Sequence, residues 1–261
     1  MKNKKYKILV LADLKESTKA TLNSAVGLAK MIDGEIELFH VKRATDLVDR
    51  ESQLSAIRNI NEQYRVVDKK IKGLLKPLPK DNNLKIKHKY ATGNVKEEIE
   101  NYINEVKPDV LVLGKKKRKV LSFVGDKITD FVLKTFKGEI VIVSNENALE
   151  PNKELSLGVL NGIDSSLNTL LAENLIGNSK KAIKSFKIGA THVKDTSNAI
   201  SENKTVEYIF EDGPNAVKTI SNYIAKSDVN LLCLDRSYSN TKSLNYAKDV
   251  INNVNVSLLV S

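Results

Sequence analysis

Short apolar stretches alternate along the first half of the chain with longer segments in which apolar residues recur every three or four positions. The first pattern is typical of strands and the second of amphipathic helices. The strands are apolar throughout, as expected when helices cover both faces of a parallel sheet built by right-handed crossovers. The predicted strands are 7–12, 35–41, 84–90, 109–114 and 139–144, and the predicted helices are 17–32, 47–76, 94–106 and 126–136.

This order of elements recurs in the second half of the chain. At an offset of 121 residues, Ile99 aligns with Ile220 and Tyr102 with Tyr223, and the strand DVLVLG aligns with NLLCLD. The two halves also close alike, on EIVIVS and VSLLVS. Because repeated order is the signature of a duplicated unit, we predict two tandem α/β domains with five strands each.

A polar segment at 145–154 separates the two halves. It contains a proline and shows no apolar period, which indicates a linker. We therefore place the first domain at 1–146 and the second at 153–261.

The second domain is predicted to be a trimmed copy of the first. Matching the dipeptide His40-Val41 to His192-Val193 places its second strand at 187–195. Only about a dozen polar residues, 194–204, then lead to its third strand, so the long helix of the first domain has no counterpart.

Composition restricts the class of protein. The hydrophobic fraction of 41% supports packed cores, and no apolar stretch approaches the roughly 20 residues that a membrane helix requires. Cys233 is the single cysteine and lies in the apolar run NLLCLD, so we predict an inert core residue. The net charge of +10 comes with few aromatic residues, which favours a lysine-rich surface over nucleic-acid binding. We expect a cytoplasmic protein that does not bind membranes, and nucleic acid is a disfavoured partner.

An open α/β sheet binds ligands at the carboxyl ends of its strands, where the strand order reverses. Asp13 follows the first strand, and its carboxylate can accept hydrogen bonds from ribose hydroxyls or an adenine amino group. Val41 ends the second strand and can offer its backbone groups to a base. Gly114 ends the fourth strand and permits close approach of a ligand, and Gly125 precedes a helix whose first N–H groups suit a phosphate.

The basic run KKKRK, residues 115–119, lies between these two glycines. Such a loop can hold phosphates through charge-assisted hydrogen bonds, or it can be a solvated charged loop. A role in nucleic-acid binding or nuclear targeting is a third possibility, since short basic runs are common by chance. The sequence leaves these alternatives open.

These features resemble the universal stress proteins, in particular members with two such domains in tandem. The resemblance covers nearly the whole chain, through ILVLADLKES, the FHV that closes the second strand, TGNVKEEIENYINEVKPDVLVLG and the strand IVIV. It implies Rossmann-like domains of the adenine nucleotide α-hydrolase type, each with five parallel strands in the order 3-2-1-4-5. It also implies pairing through the last strands, which in one chain gives an internal pseudo-dimer. A homodimer of whole chains is a further possibility.

ATP-binding members of that family carry a motif after the fourth strand: glycine, two residues, glycine, nine residues, glycine, then serine or threonine. Here Gly114 matches, Lys117 replaces the second glycine, and Gly125 comes two residues early. Asp126 stands in place of the serine or threonine, and its carboxylate would repel phosphate oxygens. The basic run 115–119 can supply compensating charge.

The second domain departs further from the motif. Asn161 replaces Asp13, Asp235 stands where Gly114 does, and the segment 236–249 contains no glycine. We therefore predict that the second domain binds no nucleotide.

The resemblance implies a bacterial stress-response regulator that acts by binding and is not an enzyme, with ATP, AMP or another anionic small ligand at the first domain. A slow ATP-hydrolysing enzyme is one alternative, with Asp126 as its metal-binding acid. A pure interaction module for an unknown protein partner is the other. No histidine has further ligands at metal-binding spacing. The expected nucleotide-binding residues are Asp13, Val41, Gly114, Lys115, Lys116, Lys117, Gly125 and Asp126.

Replacing Asp126 by serine tests this assignment of the loop. Asp126→Ser removes the carboxylate that would face phosphate oxygens, so we expect ATP to bind more tightly in a calorimetric titration. An affinity equal to that of the unaltered chain would count against placing Asp126 beside the phosphates.

Overall fold

The computed structural model describes residues 5–43, 53–78, 84–115, 127–161, 169–189, 205–236 and 243–261. Within these ranges the first half contains β1 (Tyr6–Leu11), α1 (Ser17–Ile32), β2 (Gly34–Arg43), α2 (Gln53–Leu75), β3 (Ile86–Gly93), α3 (Val95–Val106), β4 (Val110–Gly114), α4 (Lys127–Thr135) and β5 (Glu139–Val143). The second half contains β6 (Leu157–Leu160), α5 (Leu170–Gly177), β7 (Ile183–Ile188), β8 (Thr205–Phe210), α6 (Ala216–Ala225), β9 (Leu231–Leu234), α7 (Ser243–Asn253) and β10 (Ser257–Val260).

Local sequence sets the ends of these elements, and α3 shows how. Asn94 caps its start, because its side-chain oxygen accepts a hydrogen bond from the Lys96 N–H at 3.1 Å. Glu97 and Glu98 in the first turn match the positive end of the helix dipole. The helix ends at Lys107, which adopts a left-handed φ of 49° and donates its N–H to the carbonyl of Ile103.

All ten strands form one sheet in the order β3-β2-β1-β4-β5-β10-β9-β6-β7-β8. Neighbouring strands within each half are parallel, and β5 and β10 are antiparallel. The predicted order 3-2-1-4-5 is therefore confirmed in both halves. The domain limits 1–146 and 153–261 stay predictions, because one sheet runs through both halves.

The strand registers give the equivalent positions of the two halves. Leu11 lies opposite Phe39, as Leu160 lies opposite Phe186. The strand equivalent to β2 is therefore β7, so the strand predicted at 187–195 is placed wrongly. The match between His40 and His192 placed the predicted strand too far along the chain. The true strand β7 was overlooked because its lysines and a buried serine weaken its apolar pattern. His192 itself lies outside the described residues.

The two halves meet through the antiparallel pairing of β5 and β10, which confirms the predicted internal pseudo-dimer. Val141 lies opposite Leu259 across the joint. Within the first half Val141 pairs with Val112 of β4, and within the second half Leu259 pairs with Cys233 of β9. Equivalent residues are thus paired with each other. An approximate two-fold axis passes through the Val141–Leu259 pair.

Helices cover both faces of this sheet and create two apolar cores. On one face α1 and α5 contribute Leu22 and Leu175, and on the other α4 and α7 contribute Val132 and Val250. Both cores run through the two halves without interruption. The polar linker carries one buried apolar anchor, Leu149, whose N–H donates to the Ser24 hydroxyl of α1 at 2.9 Å.

Cys233 is buried in this core, as predicted from the run NLLCLD. Removal from water disfavours the thiolate and raises the pKa of the Cys233 thiol to about 12. The thiol is therefore protonated and shielded in the folded chain.

Basic side chains at equivalent positions reach across the joint between the halves. Lys115 directly follows β4, and its ammonium donates to the Val254 carbonyl of the second half at 2.5 Å. Arg236 comes two residues after the end of β9, and its guanidinium donates to the carbonyls of Phe136 at 2.5 Å and Gly138 in the first half. The register makes Val254 the equivalent of Phe136, so the two contacts are related by the approximate axis.

The halves also carry opposite charges at one equivalent position. Asp130 of α4 and Lys248 of α7 correspond through the axis, and they form an ion pair of 3.0 Å across the joint. A symmetric dimer of identical domains would place two like charges there. Because both halves belong to one chain, the residues at the two positions can differ, and here their side chains carry opposite charges that attract each other.

Arg236 gives the first test of the joint. Arg236→Met keeps most of the aliphatic stem but leaves the carbonyls of Phe136, Gly138 and Ser261 without this donor. We expect a loss of roughly 1–3 kcal/mol in the free energy of unfolding, measured with urea. Lys115→Met is the matched control at the equivalent position and should cost less, because the described contact of its ammonium is with one carbonyl of the other half, that of Val254. Equal losses in the two variants would contradict this account of the contact.

Candidate functional site

The carboxyl ends of β1, β2 and β4 lie side by side, since β1 pairs with both β2 and β4. This edge brings together the predicted site residues Asp13, Val41 and Gly114, with Lys115 following directly. The other predicted site residues, Lys116, Lys117, Gly125 and Asp126, lie outside the described residues.

Asp13 organises the turn between β1 and α1. Its Oδ1 accepts hydrogen bonds from the Lys15 N–H at 3.0 Å and from the Thr18 hydroxyl at 3.3 Å. This carboxylate therefore helps to start α1, in the manner of an Asx turn. Its second oxygen, Oδ2, receives no hydrogen bond from the part of the chain that the structure describes.

The end of β1 is also fixed by a histidine. The Ala12 N–H donates to the Phe39 carbonyl at 3.0 Å, and the Ala12 carbonyl accepts from Nδ1 of His40 at 2.8 Å. This contact places the proton of the neutral imidazole on Nδ1. Burial lowers the pKa of His40, because removal from water disfavours the imidazolium.

The backbone of Val41 points toward the space beyond the end of β1. Peptide groups alternate in direction along a strand, and the Phe39 carbonyl bonds to Ala12 of β1. The N–H and C=O of Val41, two residues further on, therefore face the same side. Since the Ala12 carbonyl is taken by His40, no acceptor is found for the Val41 N–H among the described residues.

In the second half a side chain occupies the corresponding space, beyond the end of β6. Asn161 adopts a left-handed φ of 60° and donates its N–H to the Phe186 carbonyl, so it is the equivalent of Ala12 and not of Asp13 as predicted. Its Oδ1 accepts the N–H of Ile188, the equivalent of Val41, at 2.9 Å. Its Nδ2 donates to the Tyr246 hydroxyl at 2.7 Å.

Gly114 is required by the packing of α1. A Cβ atom at Gly114 would lie 2.5 Å from Oγ1 of Thr21, which itself donates to the Ser17 carbonyl at 2.9 Å. Close approach of a helix to β4 thus accounts for this glycine independently of any ligand. Asp235 occupies the equivalent position in the second half.

Lys115 has a structural contact that the sequence could not reveal. Its ammonium bonds to the Val254 carbonyl at the end of α7, and its backbone carbonyl accepts from the Asn145 side-chain amide at 3.1 Å. In this structure Lys115 is therefore tied to the joint between the halves.

Sequence reasoning missed Ala12, His40 and Asn161 as determinants of this edge. His40 and Asn161 form hydrogen bonds to a neighbouring strand end, and Ala12 lacks a side chain that could form one. A one-residue difference in alignment was enough to match Asn161 with Asp13. The strand register supplies the signal that could have found them.

The described ranges contain neither a metal-binding cluster nor a membrane-spanning helix. No group of three or more histidine, cysteine or acidic residues there could hold a metal ion. No helix among those ranges is both long and apolar enough to cross a membrane.

Comparison with known proteins gives one family. The model of the universal stress protein family matches residues 6–144. A universal stress protein from Archaeoglobus fulgidus DSM 4304 is 15% identical, with a TM-score of 0.70 over 97% of this chain and 95% of that one. A functionally unknown protein from Pseudomonas aeruginosa PAO1 is 12% identical, with a TM-score of 0.60 over 97% of this chain and 91% of that one.

A universal stress protein solved in complex with cAMP is 15% identical, with a TM-score of 0.35 over 53% of this chain and 96% of that one. No curated protein sequence matches the chain. The structures from Archaeoglobus fulgidus and Pseudomonas aeruginosa establish the fold, which agrees with the predicted α/β architecture.

The contact between Gly114 and Thr21 can be tested by a double-mutant cycle. Gly114→Ala forces a methyl group against Oγ1 of Thr21, so we expect a loss of about 1–3 kcal/mol in the free energy of unfolding. Thr21→Ala removes the obstructing atom, and in its background Gly114→Ala should cost much less. If the two losses simply add in urea unfolding, the glycine is not required by this contact.

Proposed function

We propose, since the chain belongs to the universal stress protein family, that it is a stress-response regulator whose first half binds an adenine nucleotide, ATP or AMP. The nucleotide acts as a signal and is not turned over. The second half contributes no nucleotide site and serves as the permanent structural partner of the first.

The difference between Ala12 and Asn161 is the observation that supports this division. In the second half the Asn161 side chain accepts the N–H of Ile188 and so fills the space beyond the strand end. In the first half Ala12 has only a methyl group, and the equivalent N–H, that of Val41, has no acceptor in the described part of the chain. A backbone donor and acceptor without a partner among the described residues suit the edge of a base at this place.

Asp13 is the second element of the proposed site. Its Oδ1 is held by the turn that starts α1, which fixes the direction of the carboxylate. Oδ2 is left to accept hydrogen bonds from ribose hydroxyls. A group held in place by its own scaffold loses little conformational entropy when a ligand binds.

Lys115 is not assigned to the phosphates in this proposal, because its ammonium bonds to Val254. The remainder of the basic run, 116–119, is the sequence-based candidate for that role. The proposed site is therefore strongest at the base and the ribose.

Calorimetric titration with ATP and AMP, with and without magnesium, tests the proposal. We expect binding to the unaltered chain and at least a roughly tenfold weaker affinity in Asp13→Asn, since hydrogen bonds to a charged group contribute about 1.5–3 kcal/mol. Asparagine keeps the side-chain oxygen that starts α1, so an unchanged melting temperature should accompany the weaker binding.

Asp228→Asn is the matched control, because it makes the same change at a side chain that is 80% exposed ahead of β9, away from the carboxyl ends of the strands, and should leave nucleotide affinity unchanged. If neither ATP nor AMP gives a heat of binding, with or without magnesium, the proposal is overturned and a protein-interaction role is favoured. Release of phosphate from ATP during the titration would instead favour the slow hydrolase.

A further inference from the structure

The ten-stranded sheet has two outer edges, β3 in the first half and β8 in the second. Its inner edges are closed, because β5 and β10 pair with each other. Outer strands present unpaired N–H and C=O groups, and proteins usually protect them with charge or irregular geometry. The two outer strands of this chain differ sharply in such protection.

The β3 edge carries a row of basic side chains, of which His88 is paired with Asp68 and Lys89 with Glu105. Lys87, His88 and Lys89 follow one another along it, and Lys85 directly precedes the strand. A second copy of β3 placed alongside would bring at least four lysines into one small area. Like charges therefore disfavour self-pairing at this edge.

The β8 edge lacks that protection. Its sequence TVEYIF carries one charge, Glu207, which forms an ion pair of 2.6 Å with Lys187 of β7. Val206 and Ile209 on its opposite faces are 41% and 54% exposed. Among the described residues β8 pairs with β7 alone.

Its backbone directions follow from one hydrogen bond. The Gly189 N–H donates to the Phe210 carbonyl at 3.0 Å, so Phe210 and, by alternation, Tyr208 turn their peptide groups toward β7. Thr205, Glu207 and Ile209 therefore turn their N–H and C=O groups outward. These groups form a regular ladder with no proline to interrupt it.

We propose that β8 pairs antiparallel with β8 of a second copy of this chain, with Tyr208 opposite Tyr208 of that copy. Glu207 then lies opposite Ile209 of the second copy, and these residues exchange the outward hydrogen bonds on both sides of the two-fold axis. Val206 lies opposite Phe210 of the second copy, which buries apolar surface on the other face.

Charge selects this register over its neighbours. Centring the pair on Glu207 would place the two Glu207 carboxylates directly opposite each other. Centring it on Ile209 would place Glu207 opposite Glu211. Like charges in directly opposed positions destabilise antiparallel strands, whereas the register centred on Tyr208 avoids both contacts.

The mode of pairing is one that this chain already uses. The β5–β10 ladder joins the two halves by antiparallel edge strands with equivalent residues opposed. The β8 pairing repeats that geometry between chains and joins two ten-stranded sheets edge to edge. It is independent of whether a nucleotide binds at the first half.

Sedimentation velocity on the full chain tests the pairing over a concentration series. We expect a reversible species of twice the 29.0 kDa chain mass. Ile209→Glu sets a new carboxylate against Glu207 of the second copy at both symmetric positions, which should raise the dimer dissociation constant at least tenfold. The double variant Glu207→Lys with Ile209→Glu opposes unlike charges again and should recover the dimer.

Val66→Glu is the matched control, because Val66 is 61% exposed on α2 and lies on neither edge strand. It should sediment like the unaltered chain. Thermal melts of all variants establish that each is folded. An unaltered chain that stays monomeric throughout the series, an Ile209→Glu variant that still dimerises, or a dimer lost in Val66→Glu would each overturn the proposal.

Discussion

The antiparallel pairing of β5 with β10 is the contact on which the rest of this structure depends. Each strand is the edge of a five-stranded sheet, and alone it would expose a row of unpaired backbone groups. Pairing them satisfies those groups and makes one sheet of ten strands. It also brings the helices of the two halves together on both faces, so that two continuous apolar cores form. The joint thus contributes to the packing of each half and is more than a link between finished domains.

A covalent pair of domains is free to lose the symmetry that a homodimer must keep. In a homodimer, residues related by the two-fold axis are identical, so Asp130 would face aspartate and not Lys248. Here the equivalents have diverged to opposite charges. Arg236 donates to two carbonyls of the first half, whereas the described bond of the Lys115 ammonium is to Val254 of the second half. The same freedom lets Asn161 fill a space that Ala12 leaves open. The two halves can therefore have different functions, because a residue in one half can change without the same change in the other.

Much of this fold could be predicted from sequence, because its strands are buried and its helices amphipathic. The repeat and the apolar runs predicted the strands of the first half and the burial of Cys233, and the family resemblance implied the strand order and the joint. The prediction failed at β7, where IKSFKI carries two lysines and a serine and the His-Val match looked stronger than the true strand. The candidate site was harder, because hydrogen-bond register decides it: Asn161 differs from the equivalent of Asp13 by a single position. Residue type alone could not show that Asn161 bonds to Ile188, or that Lys115 reaches Val254.

Lys115 and Gly114 show why a motif in this fold has two explanations at once. The end of β4 lies beside the proposed ligand space and also beside α1 and the joint, so packing and binding place demands on the same few residues. Position 114 is a glycine because Thr21 leaves no room for a Cβ atom. Position 115 is a lysine whose ammonium donates to the Val254 carbonyl of the other half. A glycine and a lysine there would be retained even by a chain that had lost its ligand. Evidence for a ligand must therefore come from groups with no packing role of this kind, and the backbone of Val41 beside Ala12 is the clearest of these.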